Sequence, residues 1–169
     1  MEIIHKNGLT PVESERLFHW REHVFDPVDP GIEFSHLAHH YLAVDDGRVA
    51  AHAACDLKRI RQHEVEIPVV GIGSVVVHPE YQGRKLAQTV LRHIHGRMES
   101  EHPADIAWLF CMPSMEKYYV TCGYRTIMAP VRYEQSTGLV GCPWVSMAYE
   151  KTGALVKNEG VITILSTPW

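Results

Sequence analysis

The chain lacks several features that would assign it to a class at once. No apolar run in its 169 residues approaches the roughly 18 that a membrane-crossing helix needs, and the opening MEIIHKNGLTP has no apolar signal core. Glycine (12) and proline (10) stand at ordinary levels, which excludes collagen-like and low-complexity chains. The four cysteines, Cys55, Cys111, Cys122 and Cys142, are widely spaced without a CxxC pair, so neither zinc nor a redox dithiol is indicated. Basic charge is not in excess. Sixteen Lys and Arg against 20 Asp and Glu give a formal charge of −4, which argues against a protein that grips nucleic-acid phosphates. Together these absences point to a cytoplasmic protein with reduced thiols and no metal, nucleic-acid or membrane partner.

Histidine, by contrast, is plentiful. Protonating all 12 would turn −4 into +8, part of it just below neutral pH given an ordinary pKa of about 6.5. The length suits one domain, so residues 1–169 are expected to form a single domain with a core large enough to need no disulfide.

Periodicity and turn chemistry place the elements. MEIIH reads as a short strand. Thr10-Pro11-Val12-Glu13 combines an N-cap, a first-turn proline and a capping-box glutamate. Leu17, Phe18, Trp20, Val24 and Phe25 continue an apolar face, which predicts a helix ending at Asp26-Pro27. Strands follow at His40–Val44 and Val49–Ile60 around the turn Asp45-Asp46-Gly47-Arg48, then over VEIPVVGIGSVVV as far as His78-Pro79. Leu86, Val90, Ile94 and Met98, with Ala87 and Leu91, mark a helix over 84–99. Ile106–Phe110 is wholly apolar and should be a central strand, and Ser114–Thr121 a short helix that Gly123 terminates. Further strands are expected over 124–129, 145–150 and 161–165. The order implies an α/β fold with a mixed, mostly antiparallel central sheet flanked by helices.

The most informative stretch is SVVVHPEYQGRKLAQTVL, Ser74–Leu91, in which an apolar strand meets a tight loop that opens into a helix. Unpaired amides and the positive end of the dipole at a helix N-terminus favour a phosphate or pyrophosphate. Gly83 permits close backbone approach, and Arg84 and Lys85 add positive charge.

This stretch resembles the acyl-CoA motif V-x-P-x-x-(Q/R)-x-x-G-x-(G/A) of the GNAT superfamily of N-acetyltransferases. Val77 and Pro79 supply V-x-P, Gln82 the Q/R and Ala87 the final small residue, while Lys85 stands where the family usually has glycine. That departure requires a backbone at 85 that tolerates a Cβ. MEKYYVTCGYR is similar to the family's Y-x-x-x-G-(F/Y) element through Tyr119, Gly123 and Tyr124. The resemblance covers roughly residues 40–126. It implies a GNAT fold and an N-acyltransferase with acetyl-CoA as cosubstrate. Val75, Val76 and Val77 would meet the pantetheine arm. Gln82, Gly83, Arg84, Lys85, Leu86 and Ala87 would meet the pyrophosphate. Tyr119 would act as general acid toward the departing thiolate.

Within the superfamily, HHYLAVDDGRVAAHAACDLKRI, WLFCMPSMEKYYVTCGY and the final Trp169 resemble aminoglycoside 2′-N-acetyltransferases. Those enzymes place a glutamate on the strand before V-x-P, where this chain has Gly73-Ser74, and carry acidic residues near Pro113-Ser114. The expected acceptor is a small-molecule or peptide amine that attacks the thioester directly, and a homodimer is compatible. The general base stays open among Ser74 through water, His78, His52 and an acceptor that arrives neutral. Two other functions remain: a non-catalytic acyl-CoA-binding regulatory module, and a protein N-acetyltransferase. His36, His39 and His40 read as a surface cluster, and Cys111 as a small buried hydrophobe rather than an acyl acceptor.

Overall fold

The computed structural model describes residues 1–20, 24–25, 31–153 and 156–169. Strand β1 (Glu2–Lys6) leads to helix α1 (Pro11–Phe18), whose start follows from the sequence. Thr10 accepts from the Glu13 amide while the Glu13 carboxylate takes the Thr10 amide at 2.8 Å. The end of α1 corrects the sequence expectation. The helix stops at Phe18, and the Trp20 indole N–H donates to the Leu17 carbonyl at 3.0 Å, an acceptor that a continuing helix would use itself. The expected stop at Asp26-Pro27 lies outside the described residues.

Strands β2 (His39–Asp45), β3 (Arg48–Gln62) and β4 (Val65–Val77) form an antiparallel meander. Helix α2 (Leu86–Glu101) carries the chain back to β5 (Ile106–Cys111), which pairs parallel to β4. Helix α3 (Glu116–Thr121) precedes β6 (Arg125–Thr126), β7 (Val131–Gln135), β8 (Gly138–Gly141), β9 (Val145–Glu150) and β10 (Ile162–Ile164). The order β6-β9-β5-β4-β3-β10-β7-β8, with β2 also paired to β3 and β1 to β2, makes one ten-stranded, mostly antiparallel sheet. Strand β3 serves as its spine, since its first half pairs with β2 and its last residues with β10.

The core lies on both faces of this sheet. Leu86, Val90, Leu91, Ile94 and Met98 of α2 pack on Ala43, Ala51, Ala53, Val70, Ala107 and Leu109. The run of alanines in β3 lets the helix sit close to the sheet. On the other face Ile60, Val69, Trp108, Tyr133, Ile162 and Ile164 pack together. Among the described residues, no helix is long and apolar enough to cross a membrane. The β7–β8 hairpin was not expected from the sequence, and β10 is shorter than expected.

Candidate active site

Strands β4 and β5 pair only from Val70 to Ile72 against Ala107 to Leu109. Beyond that they part, so the β5-facing edge of Gly73–Val77 has no strand partner. A cleft of about 1190 Å³ occupies the gap. Its walls include Val75, Val76 and Val77 on one side, Phe110, Cys111 and Met112 on the other, and Gln82, Gly83, Lys85, Leu86 and Ala87 at one mouth. Tyr119 of α3 also lines it.

Ser74 sits at the point where β4 departs from the ladder. It takes a positive φ of 51°, and the β3–β4 register slips between His52 and Ala54. A bulge of this kind turns a carbonyl out of the ladder, and His52 Nδ1 bonds the Ser74 oxygen at 2.8 Å. His52 is fully buried, which pulls its pKa down to about 4 and keeps the ring neutral. Its other nitrogen lies 3.0 Å from His40 Nδ1, and His40 lines the cleft.

The loop into α2 is built to leave donors free. His78 starts the turn Pro79–Tyr81, and Gln82 Nε2 bonds the Val77 carbonyl at 3.4 Å. Among the described residues, the amides of Gly83 and of Lys85 to Gln88 donate to no protein acceptor, and the first helical bond is from Thr89 to the Lys85 carbonyl at 3.0 Å. Free amides at a helix N-terminus are the kind of donors from which phosphate sites are built. Lys85 holds φ 59° and ψ 24°, the left-handed region in which a Cβ costs about 1 kcal/mol. The backbone therefore keeps the shape of a glycine although the residue is lysine.

Nine of the ten predicted site residues line the cleft, and Arg84 is the exception. Its guanidinium lies 5.0 Å over the ring of Tyr81, which does line the cleft, in a cation–π contact. His78 likewise does not line the cleft. The Tyr119 ring is buried between Tyr118 and Tyr124, and burial pushes its phenol well above the usual value. Among the described residues its hydroxyl has no hydrogen-bond partner, and Tyr119 lines the cleft. Cys111, also on the wall, donates to the Met147 sulfur at 3.7 Å, and burial raises its pKa to about 11. A thiol held protonated in this way is a poor nucleophile. No His, Cys, Asp and Glu group among the described residues could hold a metal ion.

The far end of the cleft is aromatic. Phe34, Phe110, Trp144 and Trp169 contact one another at ring separations of 5.0–6.0 Å. The Trp169 indole covers β4 and donates to the Ile72 carbonyl at 3.2 Å. A Cβ on Gly71 would stand 2.6 Å from that indole, and one on Gly73 would stand 3.0 Å from Leu37. The strand position where the aminoglycoside enzymes carry glutamate is thus filled from outside. The segment bearing Phe34 is laced to two others. The Ser35 amide donates to the Pro168 carbonyl, and the Glu33 amide donates to the Gln135 side chain.

A family profile described as an acetyltransferase (GNAT) domain matches residues 9–127. The chain belongs to the GNAT acetyltransferase family. Similar solved structures include Escherichia coli ElaA, at 16% identity and a TM-score of 0.55, with 88% of this chain and 99% of that one covered. Another is E. coli YhbS, a GNAT N-acetyltransferase in complex with CoA, at 16% identity and a TM-score of 0.55, with 76% and 68% covered. A GCN5-related N-acetyltransferase from Kribbella flavida matches at 26% identity and a TM-score of 0.47, over 52% of this chain; the chain spans only 22% of its length. No curated protein matches the chain in sequence. The finer likeness to aminoglycoside 2′-N-acetyltransferases gains no support from these comparisons.

Two features of this GNAT site were not read from the sequence. One is the His40–His52–Ser74 chain of contacts. The other is the aromatic end of the cleft, whose residues come from distant segments.

Proposed function

We propose that the protein is an acetyl-CoA-dependent N-acetyltransferase that moves an acetyl group to a primary amine bound in the same cleft. The observation that carries this is the pairing of the free amides of Gly83 and of Lys85 to Ala87 with the open edge of β4 in one cleft. The amides are donors for a pyrophosphate, and the edge of Val75–Val77 offers strand-like hydrogen bonds to the amides of a pantetheine arm. Acetyl-CoA supplies an acetyl thioester that an amine can attack. An edge amide in Val75–Val77 stabilises negative charge on the thioester oxygen. Tyr119, kept protonated by burial, donates its proton to the sulfur as the C–S bond breaks. The aromatic end of the cleft suits an acceptor whose amine is carried on a flat, apolar group.

The test is calorimetric titration with acetyl-CoA, then thiol release on adding a panel of amines. Saturable binding with amine-dependent release is expected. Binding with no release from any amine would favour an acyl-CoA-binding module, and release only with peptides a protein N-acetyltransferase. No binding would overturn the proposal.

A further inference from the structure

An amine arriving as an ammonium must lose a proton before it attacks, and Gly73 leaves β4 without a carboxylate at this level. Resting on the transferase function above, we infer that His40 is the base that takes this proton, and that His52 is the positioning residue that fixes which of its nitrogens is available.

The tautomers follow from the contacts. The Ser74 carbonyl can only accept, so the His52 nitrogen 2.8 Å away, Nδ1, carries the hydrogen. The buried His52 ring is neutral, which leaves its Nε2 as an acceptor. His40 Nδ1, 3.0 Å from that nitrogen, is therefore the donor. In a neutral His40 the lone pair then resides on Nε2, on the side of the ring turned away from His52. His40 borders the cleft together with Leu37 and Ser74, beside the bulge where β4 opens. The bulge that frees the strand edge thus also anchors the base through His52.

Around His40 stand His39 on its own strand, His52 on β3, His5 on β1 and Glu13 on α1. Burial and the neighbouring imidazoles lower its pKa, while Glu13 and the Leu37 carbonyl oppose the shift. His40 is accordingly unprotonated at neutral pH. In the step, one N–H bond of the ammonium breaks and the proton goes to His40 Nε2. The freed lone pair forms the C–N bond to the acetyl carbon, the C–S bond breaks with its electrons remaining on sulfur, and sulfur takes a proton from Tyr119. The nitrogen's surplus proton restores Tyr119, and His40 releases its own to solvent.

The experiment compares wild type with His40→Gln and His52→Phe. Long-range ¹H–¹⁵N spectra at pH 7 should show His40 with a bare Nε2 in wild type, and both His40 tautomers in His52→Phe. Thiol release is measured with 2-phenylethylamine, an ammonium at pH 7, and with phenylhydrazine, which is already neutral. His40→Gln should slow the first by roughly 10²- to 10⁴-fold and the second by less than about tenfold, and abolish the acid limb of the rate profile. Acetyl-CoA affinity should not change. Equal losses with both acceptors, or a hydrogen on His40 Nε2 at pH 7, would overturn the assignment. So would wild type that binds acetyl-CoA yet acetylates neither amine. Wild type that does not bind acetyl-CoA would overturn the transferase function itself.

Discussion

Acidification should destabilise this protein well before its carboxylates titrate. His52 and His95 are buried, and burial holds both at about 4 against an ordinary 6.5. His95 is enclosed on two sides, its ring stacked 3.8 Å from Tyr149 and its Nε2 2.8 Å from the Tyr124 hydroxyl. In the unfolded chain both rings take up protons below pH 6.5, whereas the folded state refuses them until about pH 4. Stability is therefore complete above that window and falls within it. The loss is about 1.4 kcal/mol per pH unit for each histidine, or about 4 kcal/mol for the pair at pH 5. Against a total of roughly 5–15 kcal/mol that is a large fraction. His40, His93 and His102 are lowered too and act in the same sense. The assay is urea unfolding from pH 8 to 5. The midpoint should be flat above neutrality and then drop at constant m value. His95→Gln, which keeps a partner for Tyr124, should remove about 1.4 kcal/mol per pH unit from that slope. A midpoint unchanged between pH 7 and pH 5 would refute the reasoning.

Other substitutions probe the cleft. Lys85→Gly should relieve the left-handed strain and raise the melting temperature by about 2–4 °C without loss of acetyl-CoA affinity, checked by calorimetry of both variant and parent. Gly71→Ala drives a methyl into the Trp169 indole and the Lys58 stem, and should destabilise by about 1–3 kcal/mol in denaturant titrations. Tyr119→Phe should lower kcat by roughly 10²-fold or more and leave acetyl-CoA affinity intact in single-turnover and binding assays. Arg84→Ala, with its charge stacked on Tyr81, should weaken acetyl-CoA by less than about threefold.

The parts legible in the sequence are those fixed by local rules. The capping box at Thr10, the turn at Asp46-Gly47, the apolar stripe of α2 and the strand–loop–helix around Gly83 all formed where spacing placed them. The end of α1 is not legible in the sequence because Trp20, Val24 and Phe25 keep a helical spacing yet line the cleft. The β7–β8 hairpin hid because Leu139 and Val140 are exposed, so no alternation marks a buried face. The histidine pair depends on one residue. A regular hairpin on the Asp46-Gly47 turn would set His52 opposite Tyr41 and put His40 on the other face of the sheet. A bulge between Ala43 and Val44 shifts the register so that Leu42 faces His52, and both imidazoles share one face. No propensity in HYLAVDDGRVAAH announces that slip.

Phe34 and Trp169, from opposite ends of the sequence, belong to segments that contribute nothing to the strand ladder, and the Ser35–Pro168 bond ties those segments to each other. Replacing an aromatic ring there leaves every β-pairing untouched. On the proposed function, the surface that would meet the acceptor can therefore be redrawn while the loop around Gly83 and the position of Tyr119 stay as they are. For laboratory evolution this separates two searches that most enzymes entangle. Libraries at the exposed Phe34 should change which amines are accepted at little cost in foldability, whereas Trp144 and Trp169 also pack against the core, with Gly71 and Gly73 as the floor on which Trp169 rests.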